Sequence, residues 1–248
     1  MRAYSGRMER AEILRDLAAR GADTDPARCA ELAARLGMLV SDLLVIAGHP
    51  VPADLVPPER DARVMKEFAY RASFCDHAQM AALADFIGLP PGAAPLPSLP
   101  PPAPRTAYWR PESSYLATVL DGLIRNRGFG PRELPFMGLS MSTIFGLLSG
   151  RAAAHEHTWF QLSAMAGPLG WRFEDLLAVA GEPFSERRRY VVHCHHLGQV
   201  FVAAIGLTTG QLAEAARQAD RLSGRVSQGA WRPVSQGSAR ECPDLAEA

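Results

Sequence analysis

The chain has 248 residues, 48% hydrophobic and 21% charged, which is typical of a globular protein with one large or two small cores. Its 26 basic and 26 acidic residues cancel, and this zero net charge counts against tight binding of nucleic acid by the chain as a whole. No apolar run approaches the ~18 residues of a membrane helix, and the four cysteines are scattered without a CxxC pair. The expectation is a reduced, cytoplasmic protein without a membrane partner.

The first 88 residues are predicted to form an N-terminal helical lobe. A helix from Met8 to Arg20 is indicated by apolar residues at helical spacing. Asp25 and Pro26 then supply the cap and first turn of the next helix. Amphipathic stretches over 62–74 and 76–87 predict two further helices.

The rest of the chain divides into three predicted parts. Residues 89–107 form a proline-rich linker, since the stretch 89–104 alone holds eight prolines and favours an extended spacer. Residues 108–225 form a C-terminal helical lobe, which includes a predicted helix over 190–207 and a helix capped by Thr208. The polar tail, 226–248, is predicted to be disordered.

The sequence contains a degenerate repeat. Ala30–Pro50 aligns without a gap with Ser163–Pro183, which predicts that the two segments share one fold. The nine identical positions are Ala33, Leu36, Gly37, Asp42, Leu43, Leu44, Ala47, Gly48 and Pro50, matched by Ala166, Leu169, Gly170, Asp175, Leu176, Leu177, Ala180, Gly181 and Pro183. By this register the helix from Met8 corresponds to the helix from Ser140. Two preceding helices are missing from the first copy, either deleted or left upstream of the first residue.

The second copy is preceded by the pattern of two short helices around a glycine turn. Gly138 marks the turn, Ser140 is suited to cap the second helix, and Gly150 ends it. The second helix has an apolar face formed by Ile144, Leu147 and Leu148. Two short helices joined in this way are typical of a helix-turn-helix, whose second helix enters the DNA major groove.

The region from Tyr115 to Pro183 resembles the lambda-repressor/Cro-like (XRE) helix-turn-helix family. The matching residues are Glu133, Leu134, Ser140, Ser142, Thr143, Ile144, Gly150 and Arg151, followed by the helices at Met165–Leu169 and from Glu174. The resemblance implies an all-α fold of two related lobes and a bacterial DNA-binding transcription regulator that forms a homodimer. One departure is that Met141, Phe145 and Gly146 stand where the family usually carries polar or basic side chains that read bases.

The candidate DNA-binding residues lie on and around the helix from Ser140. The hydroxyls of Ser140, Ser142 and Thr143 could bond phosphates, and Met141 or Phe145 could meet thymine methyl groups. Four arginines near the ends of this helix could contact the phosphate backbone: Arg125, Arg127, Arg132 and Arg151.

Two other functions compete with DNA binding. The chain could have kept the fold and lost DNA, acting as an interaction module through the Met141–Phe145 face. It could instead be a recruited small-molecule enzyme or binder that uses His193 and His196, which share a helix face. A buried or interfacial role is favoured for these histidines, no catalytic motif is present, and neither a metal site nor a cofactor is predicted.

Overall fold

The computed structural model describes residues 2–88, 114–130, 134, 140–149, 158–182 and 195–224. Within these ranges every regular element of secondary structure is a helix, which confirms the predicted all-α class. The α-helices are α1 (Arg2–Arg20), α2 (Pro26–Leu36), α3 (Val40–Ile46), α4 (Ala62–Ala72), α5 (His77–Gly88), α6 (Tyr115–Arg125), α7 (Met141–Leu148), α8 (Thr158–Leu169), α9 (Phe173–Val179), α10 (His195–Ala203) and α11 (Thr209–Ser223). The predicted linker at 89–107 and tail at 226–248 lie outside the described residues.

Side-chain caps determine where several helices begin. The Asp25 carboxylate accepts a hydrogen bond from the Ala27 amide at 2.9 Å, as predicted for the start of α2. α11 begins with a capping box in which Thr208 and Gln211 satisfy each other's backbone amides. α1 differs from the prediction, because it begins at Arg2 rather than at Met8.

The two repeated segments have the same turn geometry. α2 is followed by Gly37 at φ +62°, and α8 by Gly170 at φ +67°. In both, the amide after the glycine donates to an alanine carbonyl of the preceding helix, at 3.0 and 2.9 Å. After α3 and α9 the chain turns again, through Gly48 at φ +73° and Gly181 at φ +74°. Glycine is favoured at all four positions because a side chain is strained at positive φ.

Helices from the two halves of the chain pack against each other. α4 and α5 contact α10 and α11, while α1 packs on α9 and α3 packs on α6. Phe201 of α10 lies between two rings, with centroid distances of 5.9 Å to Phe68 and 4.6 Å to Phe129. The buried apolar residues form one continuous core that draws on both halves.

The backbones of α8 and α10 approach each other closely. A Cβ atom placed on Gly198 would lie 2.1 Å from the Gly167 carbonyl oxygen and 2.3 Å from the Gly170 nitrogen. These atoms belong to backbone, which cannot move aside as a flexible side chain can. Glycine at position 198 is therefore required for this crossing. None of the helices in the described part of the chain is long and apolar enough to cross a membrane.

Candidate nucleic-acid interface

α7 forms as the sequence predicts. The Ser140 hydroxyl accepts a hydrogen bond from the Thr143 amide at 3.1 Å and so caps the helix. Ile144, Leu147 and Leu148 face the core and are at most 2% exposed. One face of α7 is therefore fixed by packing, while the opposite face is left at the surface.

The outer face of α7 is apolar and hydroxylic. Met141 is 36% exposed and Phe145 is 44% exposed, although most large apolar side chains in the described part of the chain are buried. Ser142 is exposed as well. The Ser140 Oγ atom lies 2.8 Å from both the Ser142 Oγ and the Thr143 Oγ1, so three hydroxyls cluster at the start of the helix. α7 itself carries no charged or amide side chain.

Arg125 lies at the surface, where DNA could reach it. It ends α6, which packs against α7, and its side chain is 60% exposed. Its Nε donates to the Asp121 carboxylate at 2.7 Å, one turn earlier in the helix. Because solvent screens the exposed guanidinium, this ion pair contributes at most about 1 kcal/mol, and the guanidinium can contact a phosphate instead.

Arg127 was predicted to contact phosphate, and the structure shows that this prediction is wrong. Its side chain is only 2% exposed. The two Nη atoms donate to the two carboxylate oxygens of Asp42 at 2.8 and 2.7 Å, and Nε donates to the Leu169 carbonyl at 2.8 Å. Since a buried carboxylate requires a paired cation, Arg127 is committed to the core and is not available to DNA.

Two neutral side chains complete the hydrogen bonding of Asp42. Asn126 donates to Oδ1 and the Trp171 indole donates to Oδ2, each at 2.9 Å. We call Asp42, Asn126, Arg127 and Trp171 the Asp42 cluster. It joins α3 of the first half to residues of the second half, which fixes the orientation of the segment that follows α6.

A second buried ion pair joins α1 to α9. Arg10 donates through Nε to the Asp175 carboxylate at 2.8 Å, and it also donates to the Leu36 carbonyl. Asp175 lies in the first turn of α9 and is only 2% exposed. Burial raises its pKa above the ordinary value, and the nearby Arg10 opposes this shift.

The repeat in the sequence carries a signal for these buried pairs. Asp42 and Asp175 occupy the same position of the repeat, each before two buried leucines. An acid that recurs beside core residues indicates a buried carboxylate, and a buried carboxylate requires an arginine nearby. The phosphate contact predicted for Arg127 rested only on its positive charge and on its nearness in sequence to the helix from Ser140.

Several predicted residues lie outside the described ranges. These are Arg132, Glu133, Gly138, Gly150, Arg151 and His193. Of the residues that resemble the first helix of the motif, Leu134 is described and is buried. Where the structure describes the chain, it contains no group of three or more His, Cys, Asp or Glu residues that could hold a metal ion.

Comparison with known protein families, with curated proteins and with solved structures finds no match to this chain. The geometry of α7 and its surroundings is therefore the basis for assigning a function.

Proposed function

We propose that the protein is a cytoplasmic, helix-turn-helix-type DNA-binding regulator in which α7 enters the major groove. The observation that carries this proposal is the form of α7: its inner face is buried, its start is capped by Ser140, and its outer face is exposed. A recognition helix needs these three properties, because it must be held rigidly by the domain while one face meets the base edges. Cys29 and Cys75 are unbridged, which agrees with a reducing compartment.

We also infer that the chain consists of two related lambda-repressor-like units. The equal turn geometry after α2 and α8 supports this inference. So does the start of α5, where Asp76 and Gln79 exchange the same pair of hydrogen bonds as Thr208 and Gln211 at the start of α11.

Packing suggests which helices the first unit lacks. α3 and α9 are equivalent helices of the repeat. Because α1 packs on α9 and α6 packs on α3, α1 is the counterpart of α6 in this arrangement. The sequence register had matched α1 with α7 instead. On the packing argument, the unit that begins with α1 has no counterpart of α7. One chain then offers a single recognition helix, and we propose a homodimer that presents two of them to adjacent half-sites.

The side chains of this interface indicate modest sequence specificity. The hydroxyls of Ser140, Ser142 and Thr143 suit phosphate oxygens, as does the exposed guanidinium of Arg125. Arg132 and Arg151 are proposed as further phosphate contacts from their positions in the sequence alone. Phosphate contacts position a protein on DNA without reading its sequence. Because each such contact releases counterions from the DNA, the affinity should decrease steeply as the salt concentration rises.

The experiment is a titration of the full chain against many DNA duplexes at several salt concentrations. Arg125→Ala should weaken binding to all duplexes about equally and flatten the slope of log K against log salt by ~0.9. Arg20→Ala is the matched control, since Arg20 is also exposed and pairs with Asp16 one turn earlier, but on α1. Equal slopes of log K against log salt for Arg125→Ala and wild type would show that Arg125 does not contact the DNA backbone.

One observation favours a second function, that of a protein-interaction module. Met141 and Phe145 are exposed apolar side chains on one helix face, and exposed apolar surface often marks a protein-binding site. The same titration separates the two functions. Failure of the folded protein to bind any duplex near ~50 mM salt, where phosphate contacts are strong, would exclude the DNA-binding regulator and favour the interaction module.

A further inference from the structure

We infer that α7 recognises thymine through its 5-methyl group, with Met141 and Phe145 as the side chains that make the contact. This inference rests on the proposed function and names the base that the interface selects. It follows from the composition of the outer face of α7. This face carries exposed apolar side chains and lacks charged and amide side chains.

In the major groove, the thymine methyl group is the base-edge group that an apolar helix face can recognise. Base edges there present hydrogen-bond acceptors, hydrogen-bond donors and the thymine methyl group. Guanine is read by Arg or Lys, and adenine by Asn or Gln, through paired hydrogen bonds. Because α7 has none of these four residue types, its apolar side chains match only the methyl group. Serine and threonine hydroxyls bond to many base and phosphate oxygens and discriminate weakly.

The spacing of the two apolar residues sets the spacing of the thymines. Met141 and Phe145 are one helical turn apart on the same face, which separates them by about 6 Å along the helix axis. Successive base pairs are about 3.4 Å apart. A helix lying along the groove therefore places the two side chains about two base-pair steps apart. The target should contain a pair of thymines at that separation.

The hydroxyl cluster at the start of α7 complements this arrangement. Ser140 is within 2.8 Å of the hydroxyls of both Ser142 and Thr143, so these groups are held together at the helix N-terminus. Backbone amides that are free at a helix start attract phosphate groups. The start of the helix would then anchor the DNA backbone while the apolar face meets the bases.

The test begins with selection of binding duplexes from a random pool, followed by replacement of thymine with deoxyuridine. This replacement removes the methyl group and leaves every hydrogen-bonding atom in place. Each replacement at a contacted position should reduce affinity about fourfold, the effect of burying one methyl-sized group. Replacement at a position outside the site should leave affinity unchanged.

Variants connect the effect to α7. Met141→Ala and Phe145→Ala should each abolish the preference for thymine over uracil at one position of the site. Val56→Ala is the matched control, since Val56 is an exposed apolar residue, at 52%, outside α7, and this variant should keep the wild-type preference. Thermal melting of each variant identifies any change that comes from unfolding.

The outcomes separate this inference from the proposed function. Equal affinity of the wild-type protein for thymine and uracil duplexes would overturn methyl recognition and leave DNA binding standing. This comparison uses unaltered protein, so it does not depend on any variant folding. No binding to any duplex would overturn the proposed function itself, and methyl recognition with it.

Discussion

Arg10 and Arg127 make the same pair of contacts in opposite directions across the molecule. Each donates to a leucine carbonyl at the end of a helix in its own half, and each donates to an aspartate of the other half. The two aspartates, Asp175 and Asp42, occupy equivalent positions of the sequence repeat. The halves are therefore joined by two related ion pairs that lie in the interior.

The first prediction concerns two arginines that are close in sequence and differ in burial. Arg127→Ala should lower the free energy of unfolding by about 3–5 kcal/mol, because it leaves the Asp42 carboxylate buried without a cation. Arg125→Ala should change it by less than about 1 kcal/mol, since the Arg125 guanidinium is 60% exposed and its attraction to Asp121 is screened by solvent. Urea denaturation of both variants measures the difference. Similar losses for the two would show that Arg127 does not stabilise the core.

The second prediction concerns pH. Because burial raises the pKa of Asp175 above its ordinary value of 3.8, the folded protein holds this proton more tightly than the unfolded chain does. The contribution of Asp175 to stability is fully present below pH 3.8 and is lost as the pH rises through the pKa of the folded state.

Asp175→Asn removes this titration. The stability of the wild-type protein relative to the variant should therefore decrease as the pH rises from 3.8. Urea denaturation of both proteins across the acidic range supplies the comparison. A relative stability that increases with pH would instead mean that Arg10 outweighs burial at this carboxyl.

The third prediction uses a pair of glycines within helices. Gly198→Ala should destabilise the protein by more than about 2 kcal/mol, because the added Cβ would overlap backbone atoms of Gly167 and Gly170. Gly146→Ala is the control: a Cβ there meets nothing within 4 Å, and alanine favours a helix by up to about 1 kcal/mol over glycine. The melting temperature should therefore decrease for Gly198→Ala and increase for Gly146→Ala. A Gly198→Ala protein as stable as wild type would disprove the close crossing of α8 and α10.

The fourth prediction concerns the first half of the chain on its own. Residues 1–89 should not unfold cooperatively, because α1 would lose α9, and α4 and α5 would lose α10 and α11. Circular dichroism during heating of the dilute fragment tests this expectation, and a cooperative transition of the monomer would contradict it. Mixing the fragment with residues 105–248 should restore a cooperative transition.

Local signals in the sequence predicted most of the helices. Capping residues such as Asp25 and Ser140, together with apolar spacing, depend on neighbouring positions and can be recognised without the fold. The role of Arg127 could not be recognised in this way, because its partner Asp42 is 85 positions away in the chain. The same holds for the packing of α1 on α9. Contacts between distant segments depend on how the halves pair, and spacing within one segment does not report that pairing.

The core contributed by both halves also determines how the protein responds to dilution. In a homodimer built on such an interface, the partners separate when the protein is dilute. Here one chain carries both halves, so each remains near the other at an effective concentration on the order of millimolar, as for tethered binding partners. The association of one half with the other should accordingly be independent of protein concentration, whereas cleavage between the halves would make it depend on concentration.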